Sequence, residues 1–485
     1  MEPQTAKADR ATSPSASDLE QAFEAFRAAH PGFSETRDLD ELRAAEFSRL
    51  DQNDHVYLDY TGGGLYGDCQ VKEHCDFLLQ HVLGNPHSTN PTSQATTDRI
   101  ERCRQRVLDF FRASPDEYAV IFTANASQAL KLVGESYPFE PGDQFLLTFD
   151  NHNSVNGIRE FDRAHGAETT YIPLEPPELR IGKAVLDQHL DRARPGRHNL
   201  FAYPAQSNFS GVQHSLEWID RAQRKGWDVL LDAAAFVPTN RLDLSLYKPD
   251  YVALSFYKMF GYPTGVGALI ARWRALEKLH RPWFAGGTIE VASVKADQHV
   301  LAGGAAAFED GTLDYSNIPA VEIGLDFLDK IGVERIHDRV QCLAKWLINE
   351  LVGLRYDNGV PLILLYGPAC VDARGGAIAA NFQDRNGQVI DHQVIEDSAN
   401  RHNISLRTGC FCNPGAGEIA LGLARTELVT CFSQSSEEPN QRLTLDDFRR
   451  CIDSKSTGAV RISLGIASNF RDVHSFVAFA KTFLS

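Results

Sequence analysis

The hydrophobic positions of the chain fall into two patterns that alternate from about residue 55 onward. Short runs that are apolar throughout are typical of strands in a sheet covered on both faces, and stretches with apolar residues three and four positions apart predict helices. The predicted strands are HVYLDYT (55–61), AVIFT (119–123), QFLLTF (144–149), NLFAYP (199–204), DVLLD (228–232), YVALSF (251–256) and GALIAR (267–272). The predicted helices are VKEHCDFLLQHVL (71–83), DRIERCRQRVLDFFR (98–112), one beginning near Ala126, and SLEWIDRAQRKG (215–226). This alternation predicts an α/β fold with a mostly parallel sheet.

The pattern changes near residue 320, where two long helical stretches are followed by short strands. These segments are PAVEIGLDFLDKIG (319–332), IHDRVQCLAKWLINELVGL (336–354), PLILLY, GAIAANF and a final helix around 472–484. We therefore expect four parts: a polar, disordered lead (1–18), a helical segment (19–54), a large domain (55–320) and a smaller α+β domain (321–485). The charged stretch SQSSEEPNQ (433–441) predicts a surface loop.

Composition narrows the classes of partner. With 48 Lys and Arg against 64 Asp and Glu, the net charge of −16 disfavours a nucleic acid or an anionic membrane as partner. No run approaches the roughly 18 apolar residues of a membrane span. The start, MEPQTAKADRATSPSASD, lacks the apolar core of a secretory signal.

The nine cysteines show no repeating spacing, which favours a reducing, cytoplasmic compartment. Seven of them stand in apolar or helical stretches and are predicted to be reduced core residues: Cys69, Cys75, Cys103, Cys342, Cys370, Cys431 and Cys451. Only Cys410 and Cys412 lie close together, in RTGCFCNPG. A C-x-C pair without a second Cys/His cluster is a poor zinc site, so no metal is expected there.

Polar residues follow the predicted strands at the point where each strand ends. In open parallel sheets, ligands bind beyond the carboxyl ends of the strands. Taken singly, each such residue has an ordinary structural role as a helix cap, turn or solvated side chain. Their joint occurrence along one sheet is the informative feature. The residues are Asn125, Ala126 and Ser127 at a helix start, then His152, Asn208, Asp232, Ser255 and Lys258.

Together these residues match the requirements of pyridoxal 5′-phosphate (PLP). That cofactor needs a lysine for its Schiff base, an acid beside its pyridine nitrogen and an anion pocket. Lys258 and Asp232 are the candidates for the first two requirements. His152 is positioned to stack on the ring, and Asn208 to reach its phenolic oxygen. The phosphate is expected at the helix start, held by backbone amides and the hydroxyls of Ser127 and Ser255.

Four segments carry a resemblance to a known family: LDAAAF (231–236), SFYKMFGYPTGVGAL (255–269), FEDGTLDYSN (308–317) and RTGCFCNPG (407–415). They resemble the class V aminotransferases, in particular the cysteine desulfurase branch and the N-terminal PLP-binding part of molybdenum cofactor sulfurases. The resemblance runs from about residue 39 to the C-terminus. It implies the type I, aspartate-aminotransferase-like PLP fold, with a large mostly parallel-sheet domain and a smaller α+β C-terminal domain. It also implies a homodimer with active sites at the subunit interface.

The resemblance implies further roles by position. Tyr257 stands where many desulfurases have a histidine that touches the phosphate, and Thr312 matches a threonine that the partner subunit lends to it. Arg461 matches the arginine that grips the substrate carboxylate, as a guanidinium fork can. Cys412 matches the cysteine that receives sulfur. Desulfurases commonly carry glutamine near the pyridoxal oxygen where this chain has Ala235.

The resembling sulfurases carry a second domain after this part, so a separate sulfur acceptor is expected for this chain. The first hypothesis is a desulfurase that converts L-cysteine to alanine and leaves a persulfide on Cys412. The second is a C–S lyase, a selenocysteine lyase or a tailoring enzyme on another amino acid, which needs Lys258 and Asp232 but not Cys412. The third is a catalytically silent scaffold, which the intact set of Lys258, Asp232 and Arg461 disfavours.

Overall fold

A computed structural model describes residues 16–435 and 457–484. The α-helices comprise Ala16–Ala29, Asp38–Glu46, Ser48–Gln52, Asp68–Gln80, Pro91–Phe110, Ala126–Ser136, Asn153–Asn156, Arg159–Ala164, Lys183–Leu190, Glu217–Gln223, Phe256–Phe260, Trp273–Leu276, Ile318–Ile331, Val333–Gly353, His392–Arg401, Pro414–Ala420, Arg425–Ser435 and Phe470–Lys481. Short 3₁₀ helices comprise Pro31–Thr36, Gly304–Phe308 and Thr482–Leu484. Predicted helix 98–112 begins earlier, because Asn90 caps it by accepting a hydrogen bond from the Ser93 amide.

The strands, numbered in chain order, are β1 (Val56–Tyr57), β2 (Tyr118–Thr123), β3 (Gln144–Thr148), β4 (Glu168–Ile172), β5 (Asn199–Pro204), β6 (Asp228–Asp232), β7 (Tyr251–Ser255), β8 (Gly267–Arg272), β9 (Ile289–Ser293), β10 (Gln298–Leu301), β11 (Ile363–Tyr366), β12 (Ala377–Phe382), β13 (Ile404–Ser405), β14 (Arg407–Gly409) and β15 (Ala459–Ser463). Strand β4 is absent from the predictions, because most of its residues are exposed or half-buried at the sheet edge.

A seven-stranded sheet in the order β2-β8-β7-β6-β5-β3-β4 forms the centre of the fold. Strand β8 is antiparallel to both of its neighbours, and the other pairs are parallel. The expectation of a mostly parallel sheet is therefore confirmed, with β8 as the reversed strand. The connection at residues 256–266 is too short for a crossover, which takes a dozen or more residues, so β8 returns beside β7.

Both faces of this sheet are covered, as the apolar runs predict. Alternate residues of β5 pack into different core clusters: Leu200 and Ala202 on one face, Phe201 and Tyr203 on the other. Since side chains alternate across a strand, a continuous apolar run supplies both layers.

A second sheet, in the order β11-β12-β15-β14, is antiparallel and lies in the C-terminal part. Strand β1 pairs in parallel with β13 rather than with the large sheet. Asp59, just after β1, forms a bridge with Ser463 of β15. The chain at residues 56–59 is thereby joined to the C-terminal part, whereas the domain boundaries themselves stay a prediction.

The cysteine predictions need correction. Cys103 is buried as expected, but Cys75 and Cys370 are exposed, and Cys69 and Cys342 are half-buried. The pattern did not show which side of a helix or loop each thiol occupies. Cys431 is buried but disulfide-bonded, so its prediction as a reduced residue is wrong. Cys451 lies outside the described residues.

Two other predictions fall largely outside the description. The disordered lead was placed at 1–18, of which residues 16–18 instead begin the helix Ala16–Ala29. The surface loop was placed at 433–441, of which residues 433–435 end the helix Arg425–Ser435. Within the described ranges, no helix has the length and apolar composition to cross a bilayer.

Candidate active site

A cavity of about 180 Å³ opens at the carboxyl ends of the parallel strands. Nine of the residues singled out from the sequence line it together: Asn125, Ala126, Ser127, His152, Asn208, Asp232, Ser255, Tyr257 and Lys258. The geometry of the sheet causes this convergence, because parallel strands end at one edge. Three predicted residues do not line the cavity, namely Thr312, Arg461 and Cys412.

Lys258 lies in the short helix Phe256–Phe260 that follows β7. The glycines after residue 61 let the chain pack against this helix: a Cβ at Gly64 would lie 2.8 Å from the Lys258 carbonyl oxygen. Burial lowers the pKa of the Lys258 ammonium below its ordinary value, with Arg461 acting in the same direction and Asp232 opposing them. A larger fraction of the amine is therefore free near neutral pH than for an exposed lysine.

Asp232 ends β6 and is 9% exposed. Its Oδ1 accepts a hydrogen bond from the Ala234 amide at 3.0 Å. Its other oxygen has no hydrogen-bond donor among the described residues, so it is available to a ligand in the cavity. This is the arrangement that a protonated ring nitrogen requires.

His152 caps the helix Asn153–Asn156, and its Nδ1 accepts a hydrogen bond from the Ser154 amide at 3.1 Å. That bond places the ring proton on Nε2. Burial lowers the pKa of His152 from its ordinary value, against the raising effect of Asp232. The ring is therefore neutral at pH 7, in a form suited to stacking on an aromatic ligand.

The opposite end of the cavity carries amide and hydroxyl donors at the start of the helix Ala126–Ser136. Asn125 caps this helix through its side-chain oxygen. The Ser255 Oγ accepts from the Ala126 amide at 2.8 Å, which leaves the hydroxyl proton free to donate. The Ser127 Oγ lies 2.6 Å from Ser154 Oγ. Free donors at a helix N-terminus are suited to an anion such as phosphate.

The segment RTGCFCNPG lies against the cavity through Asn208. The Asn208 Nδ2 donates to the Phe411 carbonyl at 2.7 Å, and the Asn208 Oδ1 accepts from Asn413 Nδ2 at 2.9 Å. The Asn153 amide, next to His152, donates to the Cys412 carbonyl at 2.7 Å. The carboxamide of Asn208 is thus engaged by the loop, in addition to the ligand contact that the sequence predicts for it.

Cys412 itself is exposed. Phe411 and Cys412 have φ of 55° and 54°, in the left-handed region that costs a non-glycine residue about 1–2 kcal/mol. Strained backbone of this kind clusters at functional sites. Among the described residues, no group of three or more His, Cys, Asp or Glu side chains is arranged to hold a metal.

Arg461 lies on β15 and is 2% exposed. Its guanidinium donates to the Asn208 carbonyl at 2.9 Å and to Asp59 Oδ1 at 3.0 Å. Its Nε is buried without a partner. Burial lowers the pKa of Arg461 to about 10, and Asp59 opposes this effect. The predicted carboxylate grip is thus already paired with an internal carboxylate.

Thr312 is exposed, and its hydroxyl oxygen accepts a hydrogen bond from the side-chain Nδ2 of Asn85 at 3.3 Å. Tyr257 lines the cavity, and burial raises the pKa of its hydroxyl. The ring packs about 3.8 Å from the position of a Cβ at Gly63.

Three residues that shape the site were missed from the sequence: Asp59, Ser154 and Gln206. Ser154 could have been found as a serine two positions after a strand-end histidine, a common capping arrangement. Asp59 lies inside the first predicted strand, HVYLDYT, and carried a weaker signal. Gln206 follows the predicted strand 199–204, as Asn208 does, so its position at a strand end could have singled it out.

The family model of class V aminotransferases matches residues 56–476. The chain belongs to the class V aminotransferase family. This membership confirms the resemblance to that family.

Two curated relatives in this family are molybdenum cofactor sulfurases. The protein of Solanum lycopersicum is 36% identical over 96% of this chain and 60% of its own length. The Bos taurus protein is 38% identical over 91% of this chain and 51% of its own length. The chain therefore spans between half and three fifths of these relatives.

Solved structures of the family share the fold. An apo cysteine desulfurase of Thermococcus onnurineus NA1 superposes with a TM-score of 0.73 at 22% identity, covering 92% of this chain and 97% of its own. The cystine C–S lyase C-DES in complex with cysteine persulfide superposes with a TM-score of 0.67 at 17% identity, covering 90% and 99%. These likenesses confirm the type I fold.

Proposed function

We propose that this chain is a PLP-dependent cysteine desulfurase. It removes sulfur from L-cysteine, leaves alanine and a persulfide on Cys412, and passes the sulfur to a separate acceptor. One observation carries the proposal: the loop of Cys412 is hydrogen-bonded, through Asn153, to the edge of the cavity that Lys258 and Asp232 line. This contact supports a role for Cys412 because it holds the cysteine's loop at the edge of that cavity.

The donor set of the cavity fits PLP. An unpartnered oxygen of Asp232 suits the ring nitrogen, the buried Lys258 amine suits covalent attachment, and the neutral ring of His152 suits stacking. The hydroxyls of Ser127 and Ser255 and the Asn125 amide suit the phosphate, while the Ala126 amide already donates to Ser255 Oγ and so orients that hydroxyl. Tyr257 lines the same cavity. When bound, the cofactor supplies an electron sink for negative charge at the substrate α-carbon.

Lys258 is the general base of the proposal. Its lowered pKa gives it more free amine at neutral pH than an exposed lysine has, and proton abstraction from a substrate carbon requires the free amine. Asp232 opposes that lowering, so the two charges keep the amine basic enough to take the proton.

Arg461 and Asn208 hold the substrate in this proposal. The guanidinium is still charged at neutral pH with a pKa of about 10, and its buried Nε has no partner. A substrate carboxylate would take that donor and share the guanidinium with Asp59.

Sulfur transfer occurs at Cys412. Its thiolate attacks the substrate sulfur, so that an S–S bond forms and the substrate C–S bond breaks. The electron pair of that bond passes to the substrate carbon, which takes up a proton and leaves as alanine. No external oxidant or reductant is needed. Exposure of Cys412 then allows an acceptor to reach the persulfide.

The test compares Cys412→Ala with Cys410→Ala, a matched exposed thiol two residues away. Each variant, loaded with PLP, is incubated with L-cysteine and assayed for alanine, pyruvate and acceptor-bound sulfur. We expect Cys412→Ala to lose alanine formation and sulfur transfer, while Cys410→Ala keeps them. Undiminished alanine in Cys412→Ala would refute the persulfide. Pyruvate and sulfide from the unaltered chain would indicate a C–S lyase instead, and selenide from selenocysteine alone a selenocysteine lyase.

We further propose that the active unit is a homodimer in which Thr312 serves the partner's phosphate site. Thr312 is exposed and outside its own chain's cavity, and hydrogen bonds link its segment to residues 85 and 286. Large apolar side chains nearby in sequence are exposed: Leu79 by 83%, Val82 by 78% and Trp283 by 53%. A second copy would bury such a face.

The dimer is tested by sedimentation velocity on the unaltered chain and on Leu79→Asp/Val82→Asp. We expect a dimer that becomes a monomer in the double variant, with weaker PLP binding in that monomer. The proposal would be contradicted if the unaltered chain is a monomer and binds PLP as tightly as the double variant does.

A further inference from the structure

Gln206 follows β5 and lines the cavity together with Lys258 and Ala235. It also lines a smaller adjoining cavity that contains Lys258 and Ala235 but none of the serines at the phosphate end. The side chain is 3% exposed. Gln206 thus approaches Lys258 from the side away from those serines.

A chain of amides determines which end of the Gln206 carboxamide faces the cavity. The chain starts at the Phe236 carbonyl, which can only accept, and which receives Asn240 Nδ2 at 2.9 Å. Asn240 Oδ1 therefore faces Gln213, whose Nε2 donates to it at 3.0 Å. The same Gln213 Nε2 donates to Gln206 Oε1 at 3.0 Å.

The Nε2 of Gln206 is left without an acceptor among the residues that the structure describes. It is not one of the atoms sealed from solvent, so it opens to the cavity. The carboxamide packs closely on Gly375, where a Cβ would lie 2.1 Å from Oε1 and 2.8 Å from Nε2, so a side chain at that position would displace it. A buried amide held in this way is poised for a ligand acceptor.

We propose that Gln206 Nε2 donates a hydrogen bond to the phenolic oxygen of the bound cofactor. This inference rests on the proposed PLP function. In pyridoxal phosphate, the ring carbon that bears the lysine-reactive aldehyde lies between the ring carbon that bears the phosphate-carrying methylene group and the ring carbon that bears the phenolic oxygen. Because Gln206 adjoins Lys258 away from the phosphate donors, it faces the phenolic oxygen. From the segment that follows β5, Gln206 supplies the side-chain amide that alanine at position 235 does not have.

The test measures the cofactor rather than turnover. PLP is titrated into cofactor-free protein by fluorescence, and the pH midpoint of the absorbance band of the lysine-bound cofactor is recorded. We expect Gln206→Leu to raise the Kd roughly 10- to 100-fold, as for a hydrogen bond to a charged group. The pH midpoint should move upward, because the amide stabilises the oxygen's negative charge most in the deprotonated form. Gln206→Glu should move it further, since a carboxylate repels that oxygen.

Gln94→Leu, a change at an exposed glutamine that does not line the cavity, serves as the matched control and should alter neither quantity. If Gln206→Leu does not fold, Gln206→Asn replaces it, because the shorter side chain cannot hold Gln213 and reach the ligand together. Unchanged Kd and midpoint in the Gln206 variants would overturn the inference. Failure of the unaltered chain to bind PLP would instead overturn the proposed function.

Discussion

Asp59 lies between two guanidinium groups, and removing its charge tests how Arg461, the proposed substrate-binding arginine, is held. Arg461 donates to Asp59 Oδ1 at 3.0 Å, and Arg407 donates to Oδ2 at 2.6 Å. The Asp59 side chain is 10% exposed and that of Arg461 is 2% exposed, whereas Arg407 is 51% exposed. Asp59→Asn keeps the shape of the side chain and removes its charge.

The expected loss of stability follows from burial. Removing one partner of a buried ion pair costs about 3–5 kcal/mol, because the other charge is left without compensation. The exposed pair with Arg407 adds only about 0–1 kcal/mol. An asparagine oxygen can still accept one hydrogen bond from Arg461, so we expect the lower end, about 3 kcal/mol. The control is Asp54→Asn, whose pair with Arg471 at 3.3 Å is exposed, with an expected loss below about 1 kcal/mol.

The assay is urea unfolding at pH 7, with and without L-alanine as a carboxylate ligand that has no sulfur. The Asp59→Asn variant should unfold at lower urea. L-alanine should stabilise it more than the unaltered chain, because the Arg461 charge then has no internal carboxylate and gains more from the carboxylate of the ligand. A loss no larger than that of Asp54→Asn would refute the reasoning about burial. Equal stabilisation by L-alanine would refute the assignment of Arg461.

Three further outcomes are expected. Burial lowers the pKa of His152 in the folded protein. The contribution of its neutral ring to stability is therefore fully present above the ordinary pKa of about 6.5, and it is lost as the pH falls toward the pKa of the folded state. Between pH 7 and 5, the urea midpoint of the unaltered chain should fall more steeply than that of His152→Phe. Asp232→Asn should lower the pKa of Lys258 further, seen as a shift to lower pH in the rate of PLP capture. Gly324→Ala places a Cβ 2.1 Å from a buried phenylalanine ring and should cost about 1–3 kcal/mol in urea unfolding. Gly353→Ala, with no atom within 4 Å, should cost nothing and gain up to about 1 kcal/mol.

The strands of the large sheet could be predicted closely because their apolar runs are continuous. Strands such as β5 and β6 match the predicted limits to the residue, since burial on both faces leaves no polar position inside them. The direction of β8 could not be predicted, because an apolar run has no polarity of its own. The exposed edge strand β4 escaped for the opposite reason, since it lacks such a run.

Some residues of the candidate site could be predicted from the sequence, and others could not. Asp232 and Lys258 were found because strand ends of one sheet meet, a property that the order of elements already contains. The pairing of Arg461 with Asp59 and the amide chain that orients Gln206 were not found, since both depend on residues that are neighbours only after folding. Local patterns contain no information about such contacts.

The parallel pairing of β1 with β13 has a consequence for how the protein is made. Asp59 and Arg461 are separated by 402 residues, and Asp59 and Arg407 by 348. At a synthesis rate of about 5–20 residues per second, Asp59 leaves the ribosome roughly 20–80 seconds before Arg461 follows it. The large sheet has time to form during that interval, whereas the ion pair of Asp59 with Arg461 has to wait until Arg461 has been synthesised. The nascent chain can therefore form the large sheet, with the cavity at its strand ends, before the ion pair that orients Arg461 exists.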